Sequence, residues 1–469
     1  MHVQVMVMSM VAAANASPAA ASGAVKMASD GMWQGENPLD FALPLLAVQV
    51  AVILVVSQGL ALALKPLRQP RVVAEILGGI LLGPSALGRW GAFRRTVFPA
   101  WSAAALDTVS GLGLLLFLFL VGLELDFRSV RRVGPRSVAI AAAGIAPPFL
   151  AAAGLVPLLN VAVPAPRHAS FLPLCVFIGA ALSVTALPVL ACILKELGLL
   201  GLPFGDTAMA AAAVNDVFAW VLLALALAVS GGGGGELKGP PLAPVYILAS
   251  GATFVAFMLC GLRPLMARLG RRLGPDRAGD LSCSGAVACA LLAGAATDAI
   301  GVHPVFGAFV FGLAMPREGG LAERAGEKVA PLVSGLMLPL YFATSGLRTN
   351  IDNVRGAAAW GMVVLVVAVA IGGKFAGTFA VAAGTGMARR EAAALGVAMS
   401  AKGLVELIVL NIGKERKVLD DTTFAIFVIM ALTTTVLATP FMTALYRRPP
   451  TATTPESDVE LKDGDACPA

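Results

Sequence analysis

The chain has 469 residues, 58% hydrophobic and only 13% charged, where a soluble domain carries roughly 25% charged residues; the solvent for most of it is therefore lipid. A net charge of +6 invites nucleic acid as a partner, but no basic run is interleaved with exposed aromatics, so the charge is read as membrane topology and no nucleic acid is expected. The six cysteines show no C-x-x-C spacing, which argues against a disulfide framework and a metal site. With no Gly-rich phosphate loop and no Ser, His and Asp constellation, neither an enzyme nor a cofactor is expected.

Residues 1–40 are rich in Ala, Ser and Met and lack the basic start and compact apolar core of a cleaved signal; they are expected to form a disordered tail. Beyond them, stretches of about 17–25 apolar residues recur almost without pause, each long enough to cross a bilayer core of roughly 30 Å. About thirteen are predicted, at 41–63, 71–88, 104–124, 136–159, 171–194, 205–230, 242–262, 281–299, 303–315, 330–346, 357–384, 390–412 and 422–446. The expected fold is an all-α polytopic membrane protein over 41–446, with a short cytosolic tail at 447–469. With the N-terminus outside, inner loops hold about 20 of the 34 Lys and Arg and outer segments about 11, as the positive-inside rule requires.

Taken along the chain, the second span carries Glu75 in an otherwise apolar run. In the fifth, Ser183 and Thr185 precede Pro188, and a proline removes a backbone donor and disfavours helix just before it. The helix is expected to open there, although a simple kink with back-bonded hydroxyls fits the same residues. The sixth span places Asn215 and Asp216 among alanines and valines. A lone carboxylate in low dielectric holds either a proton or, when ionised, a dehydrated cation, and competition between those two ligands is the chemistry of an antiporter.

The run Gly231 to Gly235 is a flexible turn near the centre of the chain. Asp298 ends the eighth span and His303 with Pro304 begins the ninth; a single His at an interface is read first as hydrogen-bonded structure. The eleventh span carries Lys374 within Gly-Gly-Lys-Phe-Ala-Gly, a small-residue face that lets helices approach closely. Lys374 needs an acceptor; Asp216 is the expected one, the alternative being that the lysine balances a helix end. In the twelfth span, Ser400, Ala401, Lys402 and Gly403 are followed by Glu406. Each charge costs roughly 2.5–3.5 kcal/mol at mid-membrane on insertion scales, so the pair is expected to serve a function or to compensate the ends of a second broken helix. The two interrupted spans are seven apart, an odd offset that makes corresponding helices antiparallel. Interrupted helices in corresponding positions of inverted halves point to a transporter's binding site.

Seven segments carry a family resemblance: VVAEILGGILLGPSALGR from Val72, GLELD from Gly122, ALSVTALPVLACILKELGLL from Ala181, AAAVNDVFAW from Ala211, GVHPVFGAFVFGL from Gly301, GGKFAGT from Gly372 and AKGLVELIVLNIG from Ala401. In this order, over about residues 38–446, the chain resembles the plant cation/proton exchangers of the monovalent cation:proton antiporter superfamily. The resemblance implies a sodium/proton antiporter fold of two inverted repeats with crossed broken helices. It implies a core at about 136–230 and 357–446 and a dimerisation part at about 41–124 and 281–346, hence a homodimer in a lipid bilayer. Asn215 and Asp216 would bind cation and proton with Thr185 and Ser183 nearby, Lys374, Lys402 and Glu406 would compensate charge, and Pro188, Ser400 and Gly403 would break the helices. The implied substrates are K+, or Na+, and H+, in an endomembrane or the plasma membrane, with a role in cation and pH homeostasis. Ser400 and Ala401 stand where relatives usually show Asn and Thr, and Pro304 where they commonly show Ala. After Tyr446 only a short tail stands in place of the family's long hydrophilic C-terminal domain. Two other readings remain at this stage: a shortened non-transporting subunit paired with a full-length relative, and a cation-coupled symporter of the same fold.

Overall fold

The computed structural model describes residues 27–30, 32–67, 69–124, 134–163, 170–187, 190–191, 194, 199, 203–230, 243–273, 278–316 and 320–445. Among these the fold is helical and contains no strand, as expected where no water competes for backbone groups and every N–H must be satisfied internally. Between Met27 and Asp40, part of the segment expected to be a tail, two 3₁₀ turns form at Met32–Gln34 and Pro38–Asp40. Asn37 caps the second by accepting from Leu39 N at 3.2 Å.

The principal helices are α1 (Ala42–Leu64), α2 (Arg71–Leu82), α3 (Ala103–Glu124), α4 (Pro135–Ala162), α5 (Phe171–Ser183), α6 (Pro203–Ser230), α7 (Ala243–Ala256) and α8 (Arg263–Leu273). They continue as α9 (Ala278–Ile300), α10 (Pro304–Ala314), α11 (Leu321–Leu332), α12 (Leu338–Leu347), α13 (Gly356–Gly384), α14 (Arg389–Ala398), α15 (Leu404–Glu415) and α16 (Asp421–Leu445). A π-helical segment, Phe257–Leu262, joins α7 to α8, and another, Val333–Met337, joins α11 to α12. The described residues of each of the thirteen stretches are largely helical, and among the described residues nine helical segments are long and apolar enough to span. The others are shorter: the apolar parts of α9 and α10 are Ser284–Ile300 and Pro304–Ala314, while the fifth and twelfth stretches are broken.

Helices in lipid are not pressed together by water, so close packing falls to small residues. Where α2 crosses α12, a Cβ on Gly79 would lie 2.0 Å from Ala343 O, and one on Gly346 2.3 Å from Ile76 O. Where α3 crosses α10, a Cβ on Gly122 would lie 2.2 Å from Phe309 O, and one on Gly312 2.2 Å from Phe119 O. A third close contact sets α13 on α4, where a Cβ on Gly377 would lie 1.8 Å from Ala143 O. The α13–α4 contact belongs to one packed group of α13, α4, α5 and α6, joined by α14, α15 and α16.

Candidate ion-binding site

The fifth stretch opens where the hydroxyls precede the proline: α5 stops at Ser183 and Val184, Thr185 and Ala186 leave the helix. Pro188 lies outside the described residues. In the twelfth stretch α14 ends at Ala398, Ala401 to Gly403 form the gap, and α15 restarts at Leu404. Gly403 is extended, at φ 177°. The two gaps cross, and Ala186 N donates to Ala401 O at 3.2 Å.

A helix that stops inside a membrane leaves its last carbonyls without partners and carries about half a negative charge at that end. Both broken helices meet this with a lysine. Lys402, in the second gap, donates through Nζ to Ala181 O at 2.5 Å and Leu182 O at 2.7 Å, the last turn of α5. Lys374, from α13, donates to Met399 O at 3.2 Å, the C-cap of α14, and also to Thr185 Oγ1. Thr185 Oγ1 in turn donates to Met399 O at 2.7 Å. Glu406 sits in the first turn of α15, where the dipole favours an anion. Its Oε2 lies 3.9 Å from Lys402 Nζ, and both side chains are fully buried. Ser400 bonds back to Gly396 O at 2.8 Å.

Beside the first gap stands α6. Asn215 replaces the missing helical partners there: its Oδ1 accepts from Thr185 N at 2.8 Å and its Nδ2 donates to Ser183 O at 3.2 Å. The Ser183 hydroxyl is taken by Ile145 O of α4, at 3.1 Å. Asp216, only 3% exposed, follows Asn215, and its Oδ1 has no hydrogen-bond partner among the described residues. Buried polar atoms are almost always paired. Of the four expected ion ligands, Asn215, Thr185 and Ser183 are therefore engaged by backbone or by Lys374, and Asp216 alone offers an unengaged side-chain oxygen.

The direct ion pair expected between Asp216 and Lys374 is not formed. The ammonium instead takes Thr185 Oγ1 and the electron-rich end of α14, and it acts on Asp216 through space. Thr435 was not singled out from the sequence: its Oγ1 donates to Lys402 O at 2.7 Å, tying α16 to the gap. Its signal was the run Thr433 to Thr435 in an apolar helix.

At the far end of α15 a second polar group gathers. Arg348 bridges Asp107 Oδ2 at 2.8 Å and Glu415 Oε1 at 3.1 Å, and His303 Nε2 lies 3.8 Å from Glu415 Oε2. His303 also caps α10, accepting from Val305 N at 3.4 Å. Burial pushes the Glu415 carboxyl up, but His303 and Arg348 together outweigh it and hold the group below the usual carboxylate range.

Comparison with known proteins fits this geometry. The family described as sodium/hydrogen exchanger, transmembrane, matches residues 50–447. Cation/H(+) antiporter 20 of Arabidopsis thaliana is 54% identical over 431 residues, 90% of this chain and 51% of that protein. Na(+)/H(+) antiporter NhaS4 of Synechocystis is 34% identical over 417 residues, 87% of this chain and 98% of that one. K(+)/H(+) antiporter 1 of Saccharomyces cerevisiae is 33% identical over 430 residues, covering 89% and 48%. The chain thus spans about half the length of its Arabidopsis and yeast relatives. Among solved structures, the sodium proton antiporter MjNhaP1 of Methanocaldococcus jannaschii shares the fold, with a TM-score of 0.58 at 16% identity, over 86% of this chain and 97% of that one. A multi-pass membrane protein with crossed broken helices, this chain belongs to the sodium/hydrogen exchanger transmembrane family, among the plant cation/proton exchangers.

Proposed function

We propose that the chain is a secondary antiporter that exchanges a monovalent cation, K+ first and Na+ second, for H+ at Asp216. The observation that carries this reading is the orphan Asp216 oxygen, beside Asn215, Thr185 and Ser183, whose side-chain polar atoms are already engaged. A buried carboxylate cannot stay both empty and ionised cheaply, so it crosses the membrane loaded, with a proton or with a cation. Asn215 is neutral, which leaves one exchangeable negative charge and a stoichiometry of one proton per cation.

In this reading the packed group from α4 to α6 and α13 to α16 is the moving core, and α1 to α3 with α9 to α12 form the stationary part and the face of a homodimer. The proposed service is cation and pH homeostasis in an endomembrane or the plasma membrane. The preference for K+ draws support from the yeast relative, whose name is K(+)/H(+) antiporter.

Purified chain in proteoliposomes with an imposed pH gradient tests the reading. The wild type is expected to move 86Rb+ against protons, and Asp216→Asn to remove the coupled flux; coupled flux that survives this substitution refutes it.

A further inference from the structure

Some 10–17 Å along α15 from the crossing, at about 1.5 Å per residue from Leu404 to Asn411 and Glu415, lies a chamber of about 210 Å³ that the exchange mechanism above does not use. Its walls come from α3, α12, α15 and the start of α10, and its polar lining includes Asp107, His303, Ser345, Arg348, Asn411 and Glu415. The distribution of basic loops assigns this end to the outside.

Two features of the lining call for a ligand. Ser345 and Asn411 are 1% and 4% exposed, and Ser345 Oγ and Asn411 Oδ1 have no hydrogen-bond partner among the described residues. Asn411 is held in place from the other end of its amide, since Nδ2 donates to Tyr341 Oη at 2.9 Å. The charges meanwhile do not balance while His303 is unprotonated: among the described lining residues the carboxylates of Asp107 and Glu415 share the guanidinium of Arg348, and His303 beside Glu415 carries charge only when protonated. Oxygen donors with one uncompensated negative charge suit a hard cation and repel an anion.

We propose that this chamber is a second binding site for a monovalent alkali cation, with Asn411 Oδ1 and Ser345 Oγ as ligands and the Asp107 and Glu415 carboxylates supplying the charge. Arg348 is the positioning residue: by pairing with one oxygen of each carboxylate it keeps them apart and lowers the site to a single net charge, which favours monovalent over divalent ions. As a waiting position for ions travelling to or from Asp216, the site rests on the exchange reading; as a cation site it does not.

Anomalous diffraction from crystals of the full chain in rubidium chloride separates the two. The wild type and Asp216→Asn are both expected to show a rubidium peak in the chamber. In Ser345→Ala/Asn411→Ala the half-saturating rubidium concentration is expected to rise at least about tenfold, the loss of roughly one hydrogen-bond-strength contact. Water alone in the wild-type chamber at saturating rubidium overturns the proposal, and that result needs no variant to fold. A peak unchanged in the double variant overturns the assignment of the ligands. A chain that exchanges no ions but still holds rubidium in the chamber refutes the antiporter reading and leaves this site standing.

Discussion

Lys402 serves three acceptors at once: two carbonyls at the end of α5 and, at longer range, the Glu406 carboxylate. Removing one partner of a buried pair leaves an uncompensated charge, at a cost of about 3–5 kcal/mol. Lys402→Met is therefore expected to lower the thermal unfolding midpoint sharply in detergent, and adding Glu406→Gln to recover part of the loss. At Glu415 the sign runs with pH. Its carboxyl sits below the usual range when folded, so its stabilising contribution is present above the unfolded value, about 4.3, and is lost as pH falls through the folded one. The melting difference between wild type and Glu415→Gln is expected near neutral pH and to fade in strong acid. These residues differed in how far the sequence betrayed them. Asp216, Lys402 and Glu406 stood out because an ionisable group in an apolar run is costly wherever it points. The acceptor of Lys374 did not, because it depends on the rotation of α13 against two gaps that only the assembled fold brings within reach. Arg348, Asp107 and Glu415 were not singled out from the sequence, because only the packing of three separate helices places them together.

At the scale of helices, glycine decides which pairs touch. Gly372 and Gly377 lie in one motif of α13, yet a Cβ on Gly377 would strike Ala143 O, whereas one on Gly372 meets nothing within 4 Å. Gly377→Ala is expected to destabilise by about 1–3 kcal/mol through overpacking, and Gly372→Ala to stabilise by about 0.5–1 kcal/mol through reduced chain entropy; thermal melts of the two variants check both signs. The motif marked a small-residue face, but not which glycine carries the contact. Across the fold, the paired glycines of α2 and α12 recur in α3 and α10. Since α2 and α10 are the second and ninth stretches and α3 and α12 the third and tenth, both crossings obey the offset of seven that relates the broken helices. That offset was readable from the interruptions; the doubled crossing was not, because glycine is common throughout the chain.

For the molecule as a whole, the hydrogen bond from Ala186 to Ala401 ties the two broken helices at their crossing, so a shift of one carries the other. The C-terminal end of α15 is tied in turn to α3 and α12 through Arg348. If the group holding Asp216 moves as one body, Arg348→Gln is expected to speed amide hydrogen exchange around Asn411 to Val418 while leaving α2 protected. The charges of that body set its thermodynamics. Lys374, Lys402, Asp216 and Glu406 are all buried, and their formal charges cancel. A proton or a monovalent cation on Asp216 adds the same single charge, so both loaded forms feel an identical electric force, about 2.3 kcal/mol per charge per 100 mV. On the proposed one-for-one exchange, voltage then drops out of the cycle. Acidity alone would become the set point: a compartment one pH unit more acid than its surroundings would hold a cation excess of roughly tenfold, and no larger.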